Sequence, residues 1–258
     1  MRKTNEKFWL WAGLAAGAVV LGLLLLGSVC RNRDRTQLPY QPTRAPTQVP
    51  TQSVPPDSGF TAATLETEAL PGLESDELAQ QGLQIRSVGS YTGAFVEDGT
   101  NDIVSGVAML VLENRSGEPI QYAEILLHGP DQTLSFVLST LPDGEAMVVL
   151  EQNRQEYREG TDYTAELKSL ALFDTPPSLH QDALAFQVLD GAVNISNISG
   201  ADLTGDVVIY YKNFSQDLLY GGITYRVRIQ GGMAAGEIRQ IMAKHFTADS
   251  RILFVTIG

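Results

Sequence analysis

Two stretches of this chain carry one pattern, and a repeat of that kind restricts the fold to units that recur. The first begins at Ser105 and Gly106 and runs through an apolar stretch to Asn114-Arg115-Ser116-Gly117, then to Ile120 and the apolar residues 123–127. The second begins at Asp190 and Gly191, reaches Asn197-Ile198-Ser199-Gly200, and continues to Leu203 and residues 207–211. Further along, Leu141-Pro142-Asp143-Gly144-Glu145 is answered by Met233-Ala234-Ala235-Gly236-Glu237, and each leads into another apolar run. Both copies close on one more such run, residues 167–173 and 252–257. Between its two marks the second copy is longer, holding the extra residues 218–222.

Short apolar runs bounded by Asn, Ser and Gly every 8–12 residues are what a sandwich of two antiparallel sheets looks like in sequence. Asn and Gly tolerate the left-handed backbone angles needed where a strand reverses. Ile223, Tyr225, Val227 and Ile229 alternate with Thr224, Arg226, Arg228 and Gln230, the signature of a strand with one buried and one wet face. The expectation is an all-β protein: two tandem β-sandwich domains, residues 81–175 and 176–258.

Ahead of the repeats, residues 8–29 read FWLWAGLAAGAVVLGLLLLGSV, without a charge or a proline. At about 1.5 Å rise per residue the run spans roughly 33 Å, the hydrocarbon thickness of a bilayer. A signal peptide has a shorter apolar core and small residues before its cleavage site, which residues 27–30 lack. A lipoprotein signal would place Leu three residues before Cys30, where Gly27 stands. An uncleaved single-span helix is therefore expected, behind a cytoplasmic tail of residues 1–7. Basic residues flank both ends, Arg2, Lys3 and Lys7 against Arg31, Arg33 and Arg35, so the orientation follows from what comes next. Residues 36–59 alternate Pro with Thr and Gln, favouring extended polyproline II. Trp9 and Trp11 read as interfacial belt residues.

A stalk followed by acidic β-domains predicts a plasma-membrane protein with its C-terminal bulk extracytoplasmic. Residues 30–80 are expected to be a disordered Pro-rich stalk. In residues 60–82, five acids and Pro71-Gly72 argue against a packed element, although Ser75 before DELAQQ and Gly82 would cap one helical turn.

The turn motifs resemble those of FxLYD-like immunoglobulin-type domains of bacterial envelope proteins. Gly106 with residues 114–117 and 141–145 carries the resemblance in the first copy; Gly191, residues 197–200 and Gly236-Glu237 carry it in the second. The segments VVIYYKN and YGGITYRVRI are also similar to membrane-anchored proteins of clostridia-like bacteria. The resemblance implies an immunoglobulin-like fold and a non-enzymatic module outside the cytoplasm.

The chain has 30 acidic and 18 basic residues, a net charge of −12, which disfavours nucleic-acid binding. A lone cysteine excludes an intramolecular disulfide. His128, His180 and His245 lie far apart and lack metal-ligand spacing. No Gly-x-Ser-x-Gly elbow or phosphate loop is present, so neither catalytic, cofactor nor metal residues are expected. Asn114 and Asn197, within Asn-x-Ser triplets, occupy the repeated turns. Glu97-Asp98 and Asn101-Asp102 read as a solvated loop in preference to a calcium site.

One cluster stands out. Tyr210, Tyr211, Lys212, Tyr220 and Tyr225, with Asn213 and Phe214, fall within one hairpin, and tyrosine suits interfaces because it buries apolar area while keeping a polar tip. The competing reading fills the core with the same rings. The function expected is a membrane-anchored interaction or scaffolding module whose partner is another envelope protein. The alternative is a carbohydrate- or wall-polymer-binding module, for which exposed coplanar tyrosines in a groove would be the mark.

Overall fold

The computed structural model describes residues 63–68, 73 and 75–258. The apolar run 8–29 and the Pro-rich segment 36–59 lie outside them. Among the described residues no helix is long and apolar enough to cross a membrane.

The described chain is all-β apart from one helical turn. A seven-stranded sheet has the order β1-β2-β3-β6-β11-β10-β13, formed by Thr64–Glu68, Leu83–Ala94, Ile103–Asn114, Ala146–Leu150, Leu218–Ile229, Val207–Ser215 and Arg251–Ile257. Two three-stranded sheets accompany it. One is β5-β4-β7 (Thr133–Leu141, Ile120–His128, Thr164–Leu172); the other is β12-β9-β8 (Ile238–Met242, Ala192–Asn197, Leu184–Leu189). The helix α1, Asp76–Gln80, is capped by Ser75, whose Oγ accepts from the Leu78 N–H at 3.2 Å.

The small sheets lie on opposite faces of the long one. Met147 and Val149 of β6 and Leu219 of β11 share a core with Ile125, Leu127, Phe136 and Leu138 of β4 and β5. Val207, Ile209, Tyr211, Tyr225 and Ile229 share another with Leu184, Val193 and Ile195 of β8 and β9. Along β10, Tyr211 belongs to the second core and Phe214 packs on the first. Three residues apart on a strand, the two face opposite ways. Each fully buried Leu, Ile or Phe in these layers contributes about 1.5–3 kcal/mol before chain entropy is set against it.

The repeat is physical. Asn114 is wholly buried, and its Nδ2 donates to the carbonyls of Glu118 (2.8 Å) and Leu141 (3.0 Å) while its Oδ1 accepts from Ser116 N and Oγ. Asn197 does the same: Nδ2 to Ala201, Met233 and Ala234, Oδ1 from Ser199 N and Oγ. Backbone bonds complete both knots, Gly144 N to Asn114 O and Gly236 N to Asn197 O. A buried side chain tying two turns together explains why Asn-x-Ser-Gly and the later Gly-Glu recur as a pair.

Two features depart from the sequence reading. Within residues 60–82, where no packed element beyond a helical turn is expected, β1 pairs with the edge of β2. Backbone bonding suffices there: most of its side chains stay solvated, and Gly89 on β2 leaves room for Glu66 O, which a Cβ would meet at 1.9 Å. The seven-stranded sheet also crosses between the copies. β6 of the first and β11 of the second pair in parallel, Met147 with Leu219 and Val148 with Tyr220.

Candidate functional site, a groove beside the junction of the two copies

The β6–β11 seam is held by two buried charges. Glu97, in the loop after β2, accepts from the Leu150 N–H at 2.8 Å and the Gly222 N–H at 2.6 Å. Lys212 on β10 is completely buried, and its Nζ donates to the carbonyls of Gly221, Gly222 and Ile223 at 2.8, 3.0 and 2.7 Å. The cage exists because β10 and β11 fall out of register. Tyr211 faces Tyr225 and Asn213 faces Tyr220, so the residues between on β11 outnumber the single Lys212 opposite them and arch over its ammonium. Burial pushes Lys212 down to about 7, against the pull of Glu97; burial likewise raises the Glu97 carboxyl, against its backbone donors and Lys212. Glu97 is thus not in a solvated loop. Asp98 and Asp102 beside it meet Arg154, which covers the Phe95 ring at 4.4 Å. Among the described residues no cluster of His, Cys, Asp or Glu is placed to hold a metal ion.

The arch carries Thr224 and Arg226 to the face of the long sheet that β12-β9-β8 does not cover. Here Arg226, Tyr210 and Phe254 form a row across β11, β10 and β13, each directly opposite the next. Tyr210 and Phe254 stack with ring centroids 4.2 Å apart and planes within 7°, and Phe173 meets Phe254 edge to face at 5.5 Å. Cross-strand neighbours of this kind contribute about 0.2–1 kcal/mol to the sheet.

Around the row lies a groove of about 760 Å3, within the range of small-ligand sites. One wall is the connection between the copies, with Pro176, Pro177 and His180; Ser178 O accepts from Val255 N at 2.8 Å and pins it along β13. The other wall is the end of β4-β5, with Gln121, Ser139 and Thr140. Ser139 Oγ and Thr224 Oγ1 lie 2.9 Å apart, Ser139 Oγ donates to Gly222 O, and Thr224 Oγ1 donates to Ser139 O, closing the base. Thr140 sits at φ 55°, a strained setting for a β-branched residue.

Charge in the groove runs against that of the chain. Its lining contains no carboxylate. Among the described residues Arg226 is the one arginine without an ion pair: Arg86 and Arg115 meet Glu113, Arg154 meets Asp98, Arg158 meets Asp131, Arg228 meets Asp206, Arg239 meets Glu237 and Arg251 meets Glu145.

The five residues singled out in sequence do not form one surface. Tyr211 (2 % exposed) packs between Tyr225 and Phe246, and burial pushes its phenol up to about 12. Tyr225 (9 %) stacks on His245 at 4.8 Å, Tyr220 (1 %) packs with Val148, and Lys212 lies in its carbonyl cage. Tyr210 is half-buried and alone of the five lines the groove. Strand alternation and the arch split the set between faces. Arg226 was legible as a wet-face residue of β11, but its neighbours Phe254, Phe173 and Pro176 come from elements distant in sequence.

No protein-family model, curated protein or solved structure matches this chain.

Proposed function

We propose that this chain is a single-pass plasma-membrane protein, anchored through residues 8–29 with its N-terminus cytoplasmic, and that its β-rich body is a non-catalytic interaction or scaffolding module outside the cell. The two copies are read as tandem immunoglobulin-like β-sandwich domains of the FxLYD-like kind, residues 81–175 and 176–258. Their matched Asn114 and Asn197 knots support that reading. The observation that carries the interaction role is the Arg226–Tyr210–Phe254 row, an accessible cation beside two rings in a groove without carboxylates. Rings and arginine are the residues on which binding energy concentrates at interfaces. The partner is another envelope protein.

A second reading is a wall-polymer-binding module, favoured by the placement of the half-buried Tyr210 ring in the groove.

Protease shaving of intact cells carrying a C-terminal tag tests the topology. The tag is expected to disappear, with cuts within residues 36–59. Protection that ends only on lysis would place the β-rich body in the cytoplasm and overturn the envelope reading.

A further inference from the structure

We propose that the groove receives an extended peptide segment of the partner protein, with one carboxylate of the peptide on Arg226 and a neighbouring proline or aliphatic side chain against Tyr210 and Phe254. The inference rests on the interaction role above and names the chemistry of its partner.

Charge complementarity gives the carboxylate. In a chain with an excess of acids, every other described arginine is already paired within the protein, while Arg226 stands exposed in a lining free of Asp and Glu. A guanidinium takes a carboxylate through two parallel N–H donors, and such bonds are about twice as strong as neutral ones.

Ring geometry gives the rest. Sugars lie on open ring faces, but Tyr210 and Phe254 cover one another at 4.2 Å, and Phe173 already meets Phe254. The stack forms an apolar flank of the groove, continued by Pro176 and Pro177. A glycan buried here would also need partners for many hydroxyls, whereas the hydroxyl hydrogens of Ser139 and Thr224 are already given to the carbonyls of Gly222 and Ser139. An extended, proline-bearing peptide presents side chains to such a surface without losing internal hydrogen bonds.

The test uses the full chain in detergent micelles with labelled threonine methyls, since Thr224 and Thr256 line the groove. The probes are the blocked peptides Ac-PPEPPLP-NH2 and Ac-PPQPPLP-NH2 and, as an anionic glycan, oligogalacturonate. The glutamate peptide should shift both methyls and bind at least about tenfold more tightly than the glutamine peptide. Arg226→Gln, at an exposed site without an ion pair among the described residues, should erase that difference, and Tyr210→Ala should weaken both peptides alike. Equal binding of the two peptides, or no effect of Arg226→Gln, would overturn the proposal. Arg226-dependent binding of oligogalacturonate without binding of the glutamate peptide would also overturn it while leaving an interaction site in the groove. The shaving result is read separately, so failure of the topology and failure of the peptide chemistry cannot be confused.

Discussion

Glu97 and Lys212 hold the two backbone poles of a single residue: the carboxylate accepts from the Gly222 N–H at 2.6 Å, and the ammonium donates to the Gly222 carbonyl at 3.0 Å. Glu97 comes from the first copy and Lys212 from the second, so Gly222 is held by polar groups of both halves. Removing either member leaves buried backbone donors or carbonyls without their partner and the remaining group in a site that disfavours its charge, at a cost of about 1–3 kcal/mol. Lys212→Met and Glu97→Leu should each lose stability on that scale in chemical denaturation. The double variant should lose clearly less than the two together, and strict additivity would show that the charges do not act as a pair.

Gly222 itself should resist substitution. A Cβ there would meet Val137 O at 1.8 Å, so β5 would have to move. Gly222→Ala is expected to cost about 3 kcal/mol or more. Gly117, at φ 83° with nothing within 4 Å of its would-be Cβ, suffers only the left-handed backbone penalty of about 1–2 kcal/mol as alanine. Equal losses in the two variants would contradict the packing at the seam.

The two asparagine knots give a matched pair of variants. Asn114→Ala and Asn197→Ala each strip several hydrogen bonds, one of them to a buried carbonyl (Leu141 or Met233), and each should cost about 2–4 kcal/mol. Because the long sheet runs through both copies, both variants should lower one shared thermal transition. Two separated transitions, each moved by one variant, would contradict coupling across the β6–β11 seam.

Acid stability should reveal Glu113. Arg86 binds its carboxylate through Nε and Nη2 at 2.9 and 2.6 Å, Arg115 adds a contact at 2.7 Å, and together they hold its pKa down to about 2. A carboxyl lowered in the folded state favours the unfolded state's proton uptake, so its stabilisation is whole above the ordinary value near 4.5 and is lost as pH falls toward 2. Denaturation midpoints should fall across that window, and Glu113→Gln should be less stable at neutral pH with a flatter acid profile. An unchanged slope in the variant would assign the acid loss elsewhere.

Much of this architecture was legible beforehand because it is local. Ser75 announces α1, alternation along 223–230 sorts Tyr225 and Ile229 inward from Arg226 and Arg228, and the paired motifs place the knots at Asn114 and Asn197. What escaped is non-local. Nothing near Lys212 in sequence says that the carbonyls of 221–223 will arch over it, and no spacing rule brings Phe254 beside Tyr210 or Pro176 beside both. The hairpin's aromatic cluster misleads for the same reason. Adjacent rings on a strand point to opposite faces, so proximity in sequence separates Tyr210 from Tyr211.

Arg226, exposed and without an ion pair among the described residues, should be dispensable for folding: Arg226→Ala should change stability by no more than about 0.5 kcal/mol. A larger loss would mean that the guanidinium serves the fold.

The most direct measurement is site-specific photo-crosslinking in intact cells, with p-benzoylphenylalanine at Thr256 in the groove and, as control, at Gln187 on β8, an exposed position outside it. A discrete adduct to an envelope protein from Thr256 alone, abolished by Arg226→Gln, is the predicted result. Adducts that are the same from both positions, or indifferent to Arg226→Gln, would contradict the groove as the site of interaction.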